Sequence, residues 1–387
     1  CASGGIFLTQ YFGAKQREGM RQSVAFKVVA SLSTCIFYFL ATFVFTRPVL
    51  SLMVIGNSQA ELILDEGQKY MYLMGFIGIQ MMISSILSSS YREIGRVRVI
   101  LVITLIAAGS NAFLNWVFIY GHLGMPRLEV EGAAYATIIA KTVEMLLLIG
   151  YTIKERPEFI SFSVFKRIDW ALFGRILKKG SLLIISQMMW VLSESFTAAI
   201  YNGRGNAAVV SGMAASFSIA NLFFISFDGI TTATGVLIGK SLGRNELDDA
   251  RKEKTWMLSA AIIFGCIMCL VGVVTVLLVP VVFGNLSIDA QNICRAMLLL
   301  MALFMPLWIY VNTQLAVCRA GGDTKVGFLV DGGTTAVMIP MLLILAFFTN
   351  ASPVMMYFGV KALDVGKIIV ATHEMKKERW VVNLSNA

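Results

Sequence analysis

The sequence predicts an all-α integral membrane protein: twelve transmembrane helices in two parallel six-helix lobes, with about ten full spans and the remnant of another falling within these 387 residues. Three observations predict it. Hydrophobic residues make up 57% and charged residues 14%, where a soluble domain carries about 25% charged, and mean hydropathy is +0.75. Apolar runs of about twenty residues, long enough to cross the hydrocarbon as helices, follow one another along the chain. Two polar signatures each occur twice, in the same order and at nearly the same distance.

The first signature, GIFLTQYFGAKQREGMR from Gly5 to Arg21, returns without a gap as GVLIGKSLGRNELDDAR from Gly235 to Arg251. Gln10 falls over Lys240, Phe12 over Leu242 and Gly13 over Gly243, an offset of 230 residues. The second, YREIGRVRV from Tyr91, returns as CRAGGDTKV from Cys318, with Arg92 over Arg319, Gly95 over Gly322 and Arg98 over Lys325, an offset of 227. Two signatures recurring in order at one spacing mark a duplicated membrane domain. The second copy of the Gly5 signature follows two apolar segments that begin near Arg175. By that spacing the repeat predicts roughly sixty residues ahead of Cys1 in the full protein, one span and most of another.

Taken in order, residues 1–11 close one helix. Full spans are predicted at 22–46, 70–90, 99–120, 132–153, 176–201, 207–239, 256–283, 296–318, 326–348 and 352–372. They form an N-terminal lobe over 1–153 and a C-terminal lobe over 176–372, joined by a charged linker at 154–175 and followed by a polar tail at 373–387. Pro306 predicts a bend in its span.

Orientation follows from the basic residues. Alternate connections carry most of the 32 Lys and Arg, among them Lys15, Arg17 and Arg21, Arg92 and Arg96, Lys166 and Arg167, Lys240 and Arg244, and the tail's Lys376, Lys377 and Arg379. The intervening connections hold few, such as Arg47, Lys69, Arg127 and Arg295. The positive-inside rule therefore puts the repeated turns and the tail in the cytoplasm of a plasma-membrane protein. Each half holds an even number of spans, so the repeats are parallel.

Composition and motifs exclude several classes. The net charge of +9 belongs to loops facing anionic headgroups, and no nucleic acid partner is expected. Cys266 and Cys269 form a C-x-x-C inside an apolar run with no second pair nearby, which reads as packing. His122 and His373 are too far apart to suggest zinc. No phosphate loop, metal cluster or nucleophile constellation appears, so neither an enzyme nor a resident cofactor is expected.

Ionisable groups inside spans are the natural carriers of chemistry in such a chain. Glu194, Asp228 and Asp331 qualify, as coupling groups that bind a proton or help coordinate Na⁺, or else as residues that hydrogen-bond a neighbouring helix. Lys141 and Glu144, three apart, read as an internal pair. Asp364 with Lys361 and Lys367 reads as an anchor reaching headgroups. Asn111 and Asn115 lie one turn apart on one helix face, with Thr137 in the next span. A roomy, adaptable cleft would draw on flexible and aromatic side chains; its candidates are Gln80, Met81, Met82 and Ser85, Gln187 and Trp190, and Tyr310.

These features together resemble the MATE family, the multidrug and toxic compound extrusion transporters. The matching residues are the QYFGAK and GKSLGR turns, the YREIGR and CRAGGDTK turns, GSNAFLNWVFIYG from Gly109, EGAAYAT from Glu131, and a basic tail ending RWVVNLS that is similar to bacterial members. The likeness covers essentially the whole chain. It implies twelve helices around a central cleft, and export of organic, often cationic compounds or drugs in exchange for Na⁺ or H⁺. It also implies that Asn111, Asn115 and Thr137 surround a carboxylate on a first helix that lies upstream of Cys1. Some members carry an aspartate where this chain has Asn115, and many place an acid on the tenth helix, where this chain has Asn312 and Gln314. Second-lobe coupling then leans on Glu194 and Asp228.

Two other classes compete with an antiporter. A flippase for a lipid-linked saccharide would present basic residues in its cavity for a pyrophosphate, whereas here nearly every Lys and Arg falls in a loop. A membrane scaffold or enzyme would have no reason to repeat. The expected partners are small organic cations and the bilayer, and no obligate protein partner is expected.

Overall fold

The computed structural model describes residues 1–51, 60–204, 207–349 and 351–386. Among them every regular element is helical, and the chain divides into two compact units, Cys1–Leu8 with Gln16–Phe173, and Thr9–Lys15 with Gly174–Ala387. Among the described residues eight helices are long and apolar enough to cross a membrane singly, and one bent pair, taken as a single span, adds a ninth.

In the first unit, the start of α1 (Ala2–Gly13, leaving the unit after Leu8) precedes α2 (Arg17–Phe39), which ends in a π-helical turn at Leu40–Val44. The predicted span at 70–90 is broken. It forms the end of α4 (Ala60–Gly75), which follows the short α3 (Thr46–Ser51), and then α5 (Ile77–Glu93), with a 45° bend between Gly67–Gly75 and Ile77–Glu93. Next come α6 (Val97–Tyr120) and α7 (Glu129–Glu155). The linker docks on α2: Gln22 Nε2 donates to the Arg167 carbonyl at 2.7 Å, Gln22 Oε1 accepts from the Asp169 amide at 3.1 Å, and Arg17 pairs with Glu158 at 2.6 Å.

The second unit contains α8 (Trp170–Arg204, entering from Gly174), α9 (Ala207–Gly243), α10 (Leu247–Val282), α11 (Ile288–Ala320), α12 (Lys325–Phe348), α13 (Pro353–Ala362) and α14 (Asp364–Lys376). Its core lies along α11, where Met297, Met301, Met305, Ile309, Thr313 and Val317 are buried. By contrast α10 exposes Ile263, Leu277 and Val281. Apolar side chains bared in a row on a spanning helix suit lipid, where hydrocarbon replaces the protein core as solvent.

Pro306 lies inside the continuous helix α11, and a Cβ built on Gly265 of α10 would fall 2.6 Å from its Cα; a small residue lets α10 pass close to the proline. One expectation needs correction. The last predicted span, 352–372, is two helices of 10 and 13 residues meeting at Leu363. Neither is long enough to cross the bilayer alone.

The sequence repeat is also a repeat of backbone geometry. Lys15 and Asn245, 230 apart, are both left-handed, at φ 56° and 64°, and Gly95 and Gly322, 227 apart, sit at 88° and 76°. The turns bond alike: the Ala14 amide to the Gln10 carbonyl at 2.9 Å and that of Arg244 to Lys240 at 3.0 Å, the Gly95 amide to Arg92 at 2.9 Å and that of Gly322 to Arg319 at 2.8 Å.

Within the second unit the two copies of the first signature also meet. A Cβ on Gly13 would lie 2.3 Å from the Lys240 carbonyl oxygen, and one on Gly243 would lie 2.0 Å from that of Gln10. Since Gln10 corresponds to Lys240 and Gly13 to Gly243, the contact is reciprocal, as across a local two-fold axis. Both turns therefore lie at one end of the unit, as parallel duplication requires.

The tail covers this junction. Gln10 Nε2 donates to the carbonyls of Ala320 at 2.7 Å and Val382 at 3.3 Å, while its Oε1 accepts from the Leu384 amide at 2.6 Å. Trp380 is buried, with its backbone against Gly321. Glu378 binds Arg251 at 2.9 Å, and that guanidinium holds the carboxyl below the usual range.

Candidate functional site

In the first unit, α6 and α7 bring Asn111, Asn115 and Thr137 into one hydrogen-bonded chain. Asn115 Nδ2 donates to Asn111 Oδ1 at 3.1 Å, Asn111 Nδ2 to Thr137 Oγ1 at 3.4 Å, and Thr137 to the Ala133 carbonyl at 2.8 Å. All donors point one way, so the chain ends at Asn115 Oδ1, a buried acceptor with no hydrogen-bond partner among the described residues. An orphaned buried acceptor costs about 1–3 kcal/mol, so a cation or proton donor arriving there would be favoured. Lys141 and Glu144 form the expected pair on α7 at 2.8 Å.

Of the cleft candidates on α5, Gln80 donates to Thr142 at 2.8 Å, Met81 and Ser85 are exposed one turn apart, and Met82 is half-buried. On α8, Gln187 and Trp190 are exposed; on α11, Tyr310 is half-buried.

A further buried pair had no assigned role. Lys27 of α2, fully buried, binds Glu93 at the end of α5, and also donates to Ser89 Oγ at 3.1 Å and Ser90 Oγ at 3.2 Å. All three ammonium protons are thus used. Gly4 and Gly5 of α1 lie over the pair, and a Cβ on Gly5 would land on the Glu93 carboxylate. The repeat offsets bring Met257 and Ala320 to these places, so the pair belongs to one half only. Half of the signal was visible in Lys27, a lone charge in the apolar run SVAFKVVA; Glu93 was masked by its polar turn.

In the second unit Glu194 of α8 does not stand alone. Its Oε1 accepts from Lys361 Nζ of α13 at 2.6 Å. This corrects the reading of Lys361, Asp364 and Lys367 as headgroup anchors. Asp364 is buried, accepts from the Trp308 indole Nε1 at 2.8 Å, and pairs with Lys367 at 3.0 Å. Long basic side chains reach for headgroups when no nearer anion exists; here two carboxylates lie within their length. The Lys361 ammonium also lies 5.4 Å from the Tyr357 ring centroid and 5.8 Å from that of Trp308.

The other two acids differ. Asp331 of α12 accepts from Ser186 of α8 at 2.5 Å, tying two helices together. Asp228 is exposed midway along α9, with no ion-pair or hydrogen-bond partner among the described residues. A bare carboxylate at that depth is tolerated only where it faces water or another polar surface. Among the described residues no three His, Cys, Asp or Glu cluster as metal ligands would.

Repeated helical units with polar chains and ion pairs inside apolar spans define a multi-pass membrane protein of the duplicated-transporter class. The MatE family profile matches residues 2–117 and 183–352, and the chain belongs to that family. Among similar proteins, the probable multidrug resistance protein NorM of Mesorhizobium japonicum is 26% identical over 291 residues, 72% of this chain and 61% of its own length. That of Listeria innocua is 23% identical over 389 residues, 98% of this chain and 83% of its own length. The chain thus spans about three fifths of the first relative. A solved outward-facing conformation of a multidrug resistance MATE family transporter of the MOP superfamily superposes with a TM-score of 0.81 at 16% identity, covering 98% of this chain and 82% of that one. The bent form of the Vibrio cholerae MATE transporter VcmN gives 0.77 at 16% identity, covering 98% and 85%. The fold is therefore that of MATE transporters.

Proposed function

We propose that the chain is a secondary active antiporter that exports organic, often cationic, compounds in exchange for Na⁺ or H⁺. The observation that carries the reading is Glu194: a carboxylate inside an apolar helix, neutralised by a lysine on a different helix. An ion-coupled exchanger needs an intramembrane group whose partner can be exchanged, and an ion pair between separate helices is one. Membership of the MatE family and the names of the NorM relatives support export of drugs. Asp228 and the Asn115–Asn111–Thr137 chain are the further coupling candidates, with Asp331 in a supporting position. The cleft is assigned to Gln80, Met81, Met82, Ser85, Gln187, Trp190 and Tyr310. The repeated turns and the tail face the cytoplasm.

A lipid-saccharide flippase is less well supported. Among the lysines within helices, Lys27, Lys141 and Lys361 are each held by a glutamate and Lys367 by Asp364, so none of these four offers its full charge to a pyrophosphate. The test is purified protein in liposomes loaded with ethidium, with H⁺ and Na⁺ gradients imposed in turn. One of them should drive ethidium movement against its own gradient. Movement indifferent to both gradients would refute the antiporter.

A further inference from the structure

Two lysines paired with a glutamate on another helix are held in opposite ways, Lys27 fully buried and Lys361 partly so. Lys27 gives each of its three donors to an oxygen, as a structural lysine does. Lys361 has one hydrogen-bond acceptor among the described residues, Glu194 Oε1, and its ammonium also lies over the Tyr357 and Trp308 rings, within the roughly 6 Å range of a cation–π contact. One carboxylate and two aromatic faces are the surroundings that hold an alkylated ammonium, which has few or no N–H groups to satisfy.

The walls are held by contacts of their own. Trp308 is pinned by its indole bond to Asp364, which Lys367 holds in turn, and its ring stacks on Phe304 at 5.7 Å. Tyr357 is buried beside Tyr201, whose fully buried hydroxyl has no hydrogen-bond partner among the described residues. Lys361 enters this cage on a flexible four-carbon stem. Hard metal cations prefer several oxygen ligands, whereas the contacts to this ammonium are one carboxylate and two rings.

We propose that Glu194, Trp308 and Tyr357 form a binding site for the ammonium group of an organic cation, and that Lys361 occupies it between substrates as a tethered competitor. The proposal rests on the exporter reading and adds to it a site and a competition. A compound carrying an alkylammonium displaces Lys361 and takes over the Glu194 charge; when it leaves, the lysine returns. The Glu194 charge thus stays neutralised through the cycle, which avoids leaving an unpaired carboxylate within the membrane.

The experiment measures tetraethylammonium binding to the full chain in nanodiscs by calorimetry. Lys361→Met removes the competitor and should tighten binding at least ~10-fold, because apparent affinity falls with the fraction of sites that are open. Lys361→Arg, which keeps a tethered cation, should stay near the wild type. Adding Trp308→Leu to Lys361→Met should abolish the gain. A second measurement needs no variant: tetraethylammonium should speed modification of Lys361 by an amine-reactive reagent, read by mass spectrometry. Lys361→Met binding no tighter than wild type, or an unchanged modification rate, would overturn the proposal. Ethidium transport by the wild type is scored separately, so a protein that binds as described yet transports nothing would sink the exporter reading and leave the site standing.

Discussion

Gly13 sits against the Lys240 carbonyl so closely that a Cβ would lie 2.3 Å from the oxygen. Its repeat counterpart Gly243 meets the Gln10 carbonyl at 2.0 Å. Overpacking a tight contact costs roughly 1–3 kcal/mol, so Gly13→Ala and Gly243→Ala should each lower the thermal midpoint of the purified protein. Gly235→Ala, with open space around it, should hold or raise the midpoint, since alanine favours a helix over glycine by about 1 kcal/mol. Cysteines placed at Lys15 and Arg244 should both react with an impermeant thiol reagent from the same side of the membrane. Reaction from opposite sides would contradict the parallel duplication.

Among the contacts that hold the tail are one glutamine and one ion pair. Gln10→Ala removes three hydrogen bonds at once, and should red-shift Trp380 emission and open the tail to protease. Acid should act on the same contact. The Glu378 carboxyl is held low by Arg251, so the pair stabilises docking above the ordinary carboxylate range and is lost as pH falls through the depressed value. Trp380 emission should be flat across neutral pH and shift only once pH has fallen below the ordinary carboxylate range.

The first-unit pair gives a test of structural against functional burial. Lys27→Met leaves Glu93 without its lysine in the bundle, and breaking a buried pair costs about 3–5 kcal/mol. Adding Glu93→Gln should restore most of the loss, as a neutral amide needs no counter-charge. A double variant as unstable as Lys27→Met would show that packing, not charge, makes the site.

Glu194→Gln and Asp228→Asn should each impair gradient-driven efflux at unchanged expression. Asn115→Ala should weaken ion dependence more than substrate binding, since it removes the orphaned acceptor of the first-unit chain. Normal efflux in all three would remove these assignments.

How far the sequence reached depended on the range of each interaction. Duplication was legible because it is a matter of order along the chain, and Lys15 with Asn245 and Gly95 with Gly322 show it survives in backbone angles. Lys141 with Glu144 was legible because a helix turn fixes which residues three apart can touch. The pairs of Lys27 with Glu93 and Lys361 with Glu194 join residues 66 and 167 positions apart, and no periodicity announces such a meeting. Lys361 was misread for a related reason: near a helix end the same stem reaches headgroups or a carboxylate equally well. The break at Leu363 was hidden because the run around it stays apolar on average.

The most direct test of exchange is to watch the ion when the substrate moves. Protein is reconstituted with the coupling gradient preformed, ethidium is added on the substrate side, and internal pH or Na⁺ is followed in real time. The account predicts that ethidium dissipates one of the two gradients with wild-type protein and not with Glu194→Gln. Ethidium transport with both gradients untouched, or equal dissipation by the variant, would contradict it.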